Sequence, residues 1–198
     1  MRTLFLIAAL AAASFAADNP SKAPLPRKAP EFVIQMPDGT QKLLSSYRGK
    51  VVAMAFMFTT CPHCQNTAKL LSMIQTEYAA KGVQVLGVTF DQDAAQRVLQ
   101  FDKGLGLNFP TGYSKPGPVL EFLGIPPTNP YFVPGLVFVD KAGNIRSQFI
   151  GDEKFLGEAT IKSGKFSEAI HGDVAQINNI KSEIDKLLLV KKVPAAKN

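Results

Sequence analysis

This chain of 198 residues predicts an α/β fold, a mixed central sheet flanked by helices. Three observations carry that expectation. Val51–Phe58 and Val83–Phe90 are continuous apolar runs of strand length, as central strands covered on both faces require. Between them Leu70, Leu71, Ile74 and Tyr78 recur at helical spacing, which makes a β-α-β unit. Further on, Gly135–Asp140 and Ile145–Ile150 flank the turn Lys141-Ala142-Gly143-Asn144 and read as an antiparallel hairpin.

The elements follow in order. Arg2, the apolar Leu4–Ala13 and the small-x-small Ser14-Phe15-Ala16 have the pattern of an export signal over residues 1–16. The run is shorter than the ~20 residues that span a bilayer. The expected location is therefore periplasmic or otherwise extracytoplasmic. A membrane tether follows only if the segment is retained, with no stable insertion after its removal. Residues 17–30, rich in proline and poor in large apolar groups, read as a flexible leader. The folded domain is expected over 31–192.

It opens on Glu31–Ile34 as a short strand; the turn Met36-Pro37-Asp38-Gly39 returns it as Gln41–Leu44, an N-terminal β-hairpin. After Val51–Phe58, Thr59 and Thr60 close the strand and Pro62 suits the first helical position, where its missing N–H costs nothing. Lys81-Gly82 stops that helix. An amphipathic stretch over Asp93–Lys103, a short helix over Pro118–Leu123 and a proline-rich loop over Gly124–Pro130 follow. Residues 152–170 suit no single element. Val174, Ile177, Ile180, Ile184, Leu187 and Leu188 form the stripe of a C-terminal helix, and 193–198 reads as a disordered tail.

The net charge of +6 is spread thinly, without an arginine cluster or a basic-aromatic pattern, so nucleic acid is not an expected partner. The chemistry is concentrated in Cys61-Pro62-His63-Cys64, which holds the only two cysteines. At a strand-to-helix junction, Cys61 would face unpaired backbone N–H groups and the positive end of the helix dipole, which favour the thiolate. Cys64 lies one turn on, within reach of the first sulfur, so the pair reads as a dithiol/disulfide couple, the redox-active disulfide being Cys61–Cys64. Cys61 is the expected nucleophile and Cys64 the more buried resolving thiol. His63 can lower the Cys61 pKa as a cation. No metal is expected: a zinc site needs four ligands, and His63 lies between the cysteines where it cannot join them on one ion.

The motif and helix are joined upstream by Ala29-Pro30-Glu31-Phe32 and Tyr47-Arg48-Gly49-Lys50-Val51-Val52. Downstream lie Val133-Pro134-Gly135-Leu136-Val137-Phe138-Val139-Asp140 and Gly143-Asn144-Ile145. In this combination residues 29–151 resemble the TlpA/ResA family of exported, thioredoxin-like thiol-disulfide oxidoreductases. The resemblance implies catalytic roles for Cys61, Cys64, Pro62, His63 and Pro134. It also implies a cis peptide before Pro134 that faces the motif, and substrate contact at Val133 and Thr60. Protein thiols or disulfides and a redox partner protein would be its partners, with no cofactor.

Two departures stand out. Thr60 replaces the tryptophan that often precedes the first cysteine. Val51–Phe58 carries no acid to take a proton from Cys64, leaving Asp91 and Glu121 as distant candidates. The Pro-His pair is similar to that of a DsbA-like oxidant, so net oxidation or isomerisation is the alternative to reduction. Other classes compete less well. A peroxiredoxin needs threonine where Phe58 stands, and a Sco-like copper chaperone spaces its cysteines differently and would have only His171 to add. A binding module without enzymatic activity would not need Cys61.

Overall fold

The computed structural model of this chain describes residues 24–157 and 166–190, the side chains of 166–172 excepted. The expected signal 1–16, the leader up to residue 23, the tail 193–198 and the side chain of His171 lie outside the described residues. Eight strands form one sheet: β1 (Arg27–Lys28), β2 (Val33–Gln35), β3 (Gln41–Leu43), β4 (Val51–Met57), β5 (Val83–Thr89), β6 (Thr111–Tyr113), β7 (Gly135–Val139) and β8 (Asn144–Ile150). The helices are α1 (Pro62–Tyr78), α2 (Ala94–Leu105), α3 (Pro116–Leu123) and α4 (Phe166–Leu189).

The strands run in the order β1-β8-β7-β4-β5-β6-β2-β3. β4, β5 and β6 are parallel; β7, β8 and the hairpin β2–β3 are antiparallel to their neighbours. This is the mixed sheet the sequence predicts. The close approach of β2 to β6 depends on Gly112, because a Cβ there would lie 2.3 Å from the Gln35 carbonyl oxygen.

β4 is the axis of the core. All seven of its residues are buried, and they alternate between two apolar layers as a pleated strand must. Val51, Ala53, Ala55 and Met57 face α1 and α4, meeting Leu71, Ile74, Ile180 and Ile184. Val52, Met54 and Phe56 face α3 and the N-terminal segment, meeting Phe32, Val119 and Phe122. Both layers are built from buried apolar side chains, so the end of β4, where the redox motif begins, is held from both sides.

Three expectations need correcting. The leader does not extend to residue 30, nor does the domain begin at 31. Arg27–Lys28 pairs antiparallel with Ile145 and Asn144 of β8, and the Ala29 N–H donates to the Gly143 carbonyl at 3.0 Å. Arg27 is 7 % exposed and donates from Nη2 to the Phe122 carbonyl at 2.8 Å. The guanidinium thereby meets an unpaired carbonyl at the negative end of α3, while its stem adds apolar cover. Pro26 and Pro30 flank β1, where their missing N–H groups interrupt no ladder.

Within 152–170, Phe155 and Leu156 are core residues, Phe155 stacking on Phe149 at 3.7 Å, and α4 begins at Phe166. At the head of the α4 stripe Val174 is exposed, and packing starts at Ile177.

Candidate active site

Cys61 is the N-cap of α1. Its backbone is extended (φ −82°, ψ 119°) and its Sγ accepts the Cys64 N–H at 3.4 Å, as a serine oxygen would at this position. Pro62 is the first helical residue, and the Cys61 carbonyl takes the Gln65 N–H at 3.0 Å. A sulfur so placed receives an N–H and stands at the positive end of a 17-residue helix. Cys61 is half-buried; Pro62 and His63 are exposed beside it.

Cys64 is different in kind. It is fully buried in the apolar layer between the sheet and α1, and burial drives its thiol far above the ordinary value of 9.0. The hydrogen bond with Cys61 adds to the rise, the Phe58 backbone opposes it, and the charges of Cys61 and Asp91 raise it further. The motif thus offers one accessible sulfur at a helix start and one that resists ionisation beneath it.

Asp91, a distant candidate in the sequence, is at the site. β4 and β5 are parallel with Met57 beside Thr89, so the residues that follow each strand emerge at the same edge. There the Thr59 N–H donates to Asp91 Oδ1 at 3.1 Å and the Thr59 hydroxyl to Oδ2 at 2.5 Å. Gln65 Nε2 donates to the Thr59 carbonyl at 3.0 Å. Glu121 is elsewhere, exposed on α3 across the sheet from α1.

Sequence reasoning took Thr59 only for the end of a strand. What would have revealed its role is a hydroxyl residue after one parallel strand level with an acid after the next. A second pair it missed is Thr67 and Gln176. Both are buried, with Gln176 Nε2 donating to the Thr67 hydroxyl at 2.8 Å, so α4 is fastened to α1 one turn beyond Cys64.

Thr60 is exposed and lines a pocket of about 410 Å³ with Gln65, Arg97, Gln100 and Leu105. Pro134 is buried and Val133 half-buried, and the Val133–Pro134 bond is cis. Phe56 pairs with Gly135, the first residue of β7, so the cis bond lies at the end of β4 from which the motif emerges. Val133 and Cys61 pack on the same apolar layer. Phe58, at the position where a peroxiredoxin needs its threonine, lies against Phe90 at 4.8 Å and Tyr131 at 6.2 Å.

Among the described residues no three His, Cys, Asp or Glu side chains converge as metal ligands. No described helix is long and apolar enough to cross a membrane.

Comparison with known proteins agrees with this geometry. The model of the AhpC/TSA family matches residues 25–148. Thiol-disulfide oxidoreductase ResA of Geobacillus thermodenitrificans is 29% identical over 157 residues, 76% of this chain and 86% of that protein. A thiol:disulfide interchange protein of the thioredoxin family from Chlorobium tepidum superposes with a TM-score of 0.63 at 19% identity, over 84% of this chain and 99% of that one. A secreted thiol-disulfide isomerase from Corynebacterium glutamicum gives 0.55 at 25% identity, over 62% and 75%. The chain has the thioredoxin-like fold and belongs to the AhpC/TSA family, among its TlpA/ResA-like members.

Proposed function

We propose that the protein is an extracytoplasmic thiol-disulfide oxidoreductase of the ResA type, working as a reductase of protein disulfides. The observation that carries the reading is the asymmetry of the two sulfurs, with Cys61 capping α1 and Cys64 buried one turn behind it. The ResA-type relatives support thiol-disulfide exchange, and the pattern of residues 1–16 supports the location.

The Cys61 thiolate attacks one sulfur of a client disulfide. The client's S–S bond breaks, a Cys61–client disulfide forms, and the departing sulfur takes up a proton. Cys64 then loses its proton and attacks Cys61 Sγ, releasing the second client thiol and leaving a Cys61–Cys64 disulfide. The client gains two electrons and two protons, which a dithiol partner protein restores to the enzyme; no cofactor is needed. His63 stands on the exposed side of the motif, next but one to Cys61. The backbone at Val133 pairs with the extended client, as an added strand would, beside Pro134. Thr60 borders the entrance.

The test is a disulfide-reduction assay together with an equilibrium titration against glutathione. Wild type reduces insulin disulfides, and Cys61→Ser lowers the rate by at least about 10³-fold, since the attacking atom is lost. A potential near the roughly −270 mV of thioredoxin supports reduction; one near roughly −120 mV would turn the reading to a net oxidant. An unchanged rate in Cys61→Ser would leave a binding module.

Asp91 is the proton acceptor for Cys64 in this scheme. Each carboxylate oxygen keeps a free lone pair after its bond to Thr59. Asp91→Asn has two opposed consequences. Loss of the charge lets Cys64 ionise more easily, while loss of the base removes the acceptor. The acceptor role dominates at neutral pH, so breakdown of the mixed disulfide slows on the order of 10²-fold and recovers as pH rises. Stopped-flow single turnover reads the rate; an acceleration in Asp91→Asn would leave only the effect of charge.

A further inference from the structure

The ladder of β7 ends at Gly135, which pairs with Phe56 on one side and Ile150 on the other. Residues 132 and 133 run on beyond it, alongside the turn into the motif. The chain bends at Val133, ahead of the cis bond to Pro134. Val133 turns inward onto both apolar layers. Phe132 turns outward and is 65 % exposed, the one aromatic among the large apolar side chains that the described residues leave in solvent.

A lone exposed apolar residue is ordinary. Phe132 differs in how firmly it is held and where. On one side the Gly151 backbone closes on it: a Cβ at 151 would lie 2.2 Å from Phe132 Cβ, and φ there is +54°, so glycine is required twice over. On the other side Tyr131 is packed between Phe58 and Phe90, at 6.2 and 5.8 Å. The stem of Phe132 is therefore fixed while its ring stands free. The whole segment Gly124–Pro134 contains no charged residue. Such a rigid, neutral, aromatic surface offers nothing to a charged partner and much to an apolar side chain, and its ordering cost on binding is already met.

We infer that Phe132 is a specificity-determining residue: it receives a large apolar side chain next to the client's cysteine when the client strand lies along Val133. This inference rests on the proposed disulfide exchange and adds to it the class of client, an extended segment with an aromatic or large aliphatic neighbour to its cysteine.

The experiment uses two short peptides, identical except for Phe or Ser beside a single cysteine, each carried as a mixed disulfide with thionitrobenzoate. Release of thionitrobenzoate by the reduced full chain gives the second-order rate constants. Wild type should prefer the Phe peptide on the order of tenfold, the scale of one well-placed aromatic contact. Phe132→Ala should bring the ratio to about one, Phe132→Trp should keep it, and about 0.5 M salt should leave it unmoved. A ratio that survives in Phe132→Ala overturns the assignment, as does an equal fall for both peptides, which would mark Phe132 as structural. If wild type reacts with neither peptide nor with free dithiobis(nitrobenzoate), the redox reading itself fails.

Discussion

With Cys64 replaced by alanine, the protein is expected to remain joined to its client through Cys61, with turnover reduced to a single event. The structure gives the reason. Cys64 is the sulfur placed to displace the client, one turn into α1, with its N–H on Cys61 Sγ at 3.4 Å. Its removal costs little structurally: the side chain is small, so a modest cavity of about 1–2 kcal/mol in its apolar layer is the expected penalty. Cys61 keeps its cap position and the helix dipole, so the first attack proceeds. The trapped species should run as a higher band on non-reducing gels and vanish with dithiothreitol, and its captured clients can be identified by mass spectrometry. Free Cys61 after incubation with client, and continued turnover, would refute the two-step scheme.

The second large effect is on stability. Phe56→Ala should cost about 3–5 kcal/mol, a substantial part of the 5–15 kcal/mol typical of a domain. Phe56 is fully buried on β4, in a three-ring cluster with Phe32 at 5.5 Å and Phe122 at 5.6 Å, those two being 5.0 Å apart. Each ring comes from a different part of the chain: the N-terminal segment, the central strand and α3. The void cannot be filled by a local shift, and two edge or tilted aromatic contacts go with the methylene burial. Chemical denaturation should show a lower midpoint with an unchanged slope. A loss below about 1 kcal/mol would mean that the layer under α3 repacks freely, contrary to its close-packed geometry.

Much of this architecture was legible in the chain, because the relevant signals are local. The seven-residue strand before Cys61, the helix spacing after it, and the hairpin 135–150 each declare themselves within a dozen residues. The motif needed only adjacency to the start of α1. What stayed hidden was long-range. Thr59 and Asp91 are 32 positions apart and meet only because β4 and β5 are in parallel register. Thr67 and Gln176 are 109 apart and meet only through helix packing. Phe132 lies between the proline-rich loop and β7, where no periodic pattern marks it; its exposure appears only in the folded chain. Arg27 was hidden differently: a basic residue between prolines reads as solvent-facing until an orphan carbonyl on another element gives it a reason to go in.

That buried arginine redraws the unit that can be cut from the chain. A fragment starting at Glu31, where the first obvious strand begins, would strip Arg27–Lys28 from β8 and leave the Phe122 carbonyl without its donor. The β8 edge at Ile145 and the Gly143 carbonyl, which now takes the Ala29 N–H, would then be open to a strand from a second copy. The proline-rich prelude thus closes an edge of the sheet, and a fragment that keeps that edge covered has to include Arg27–Lys28.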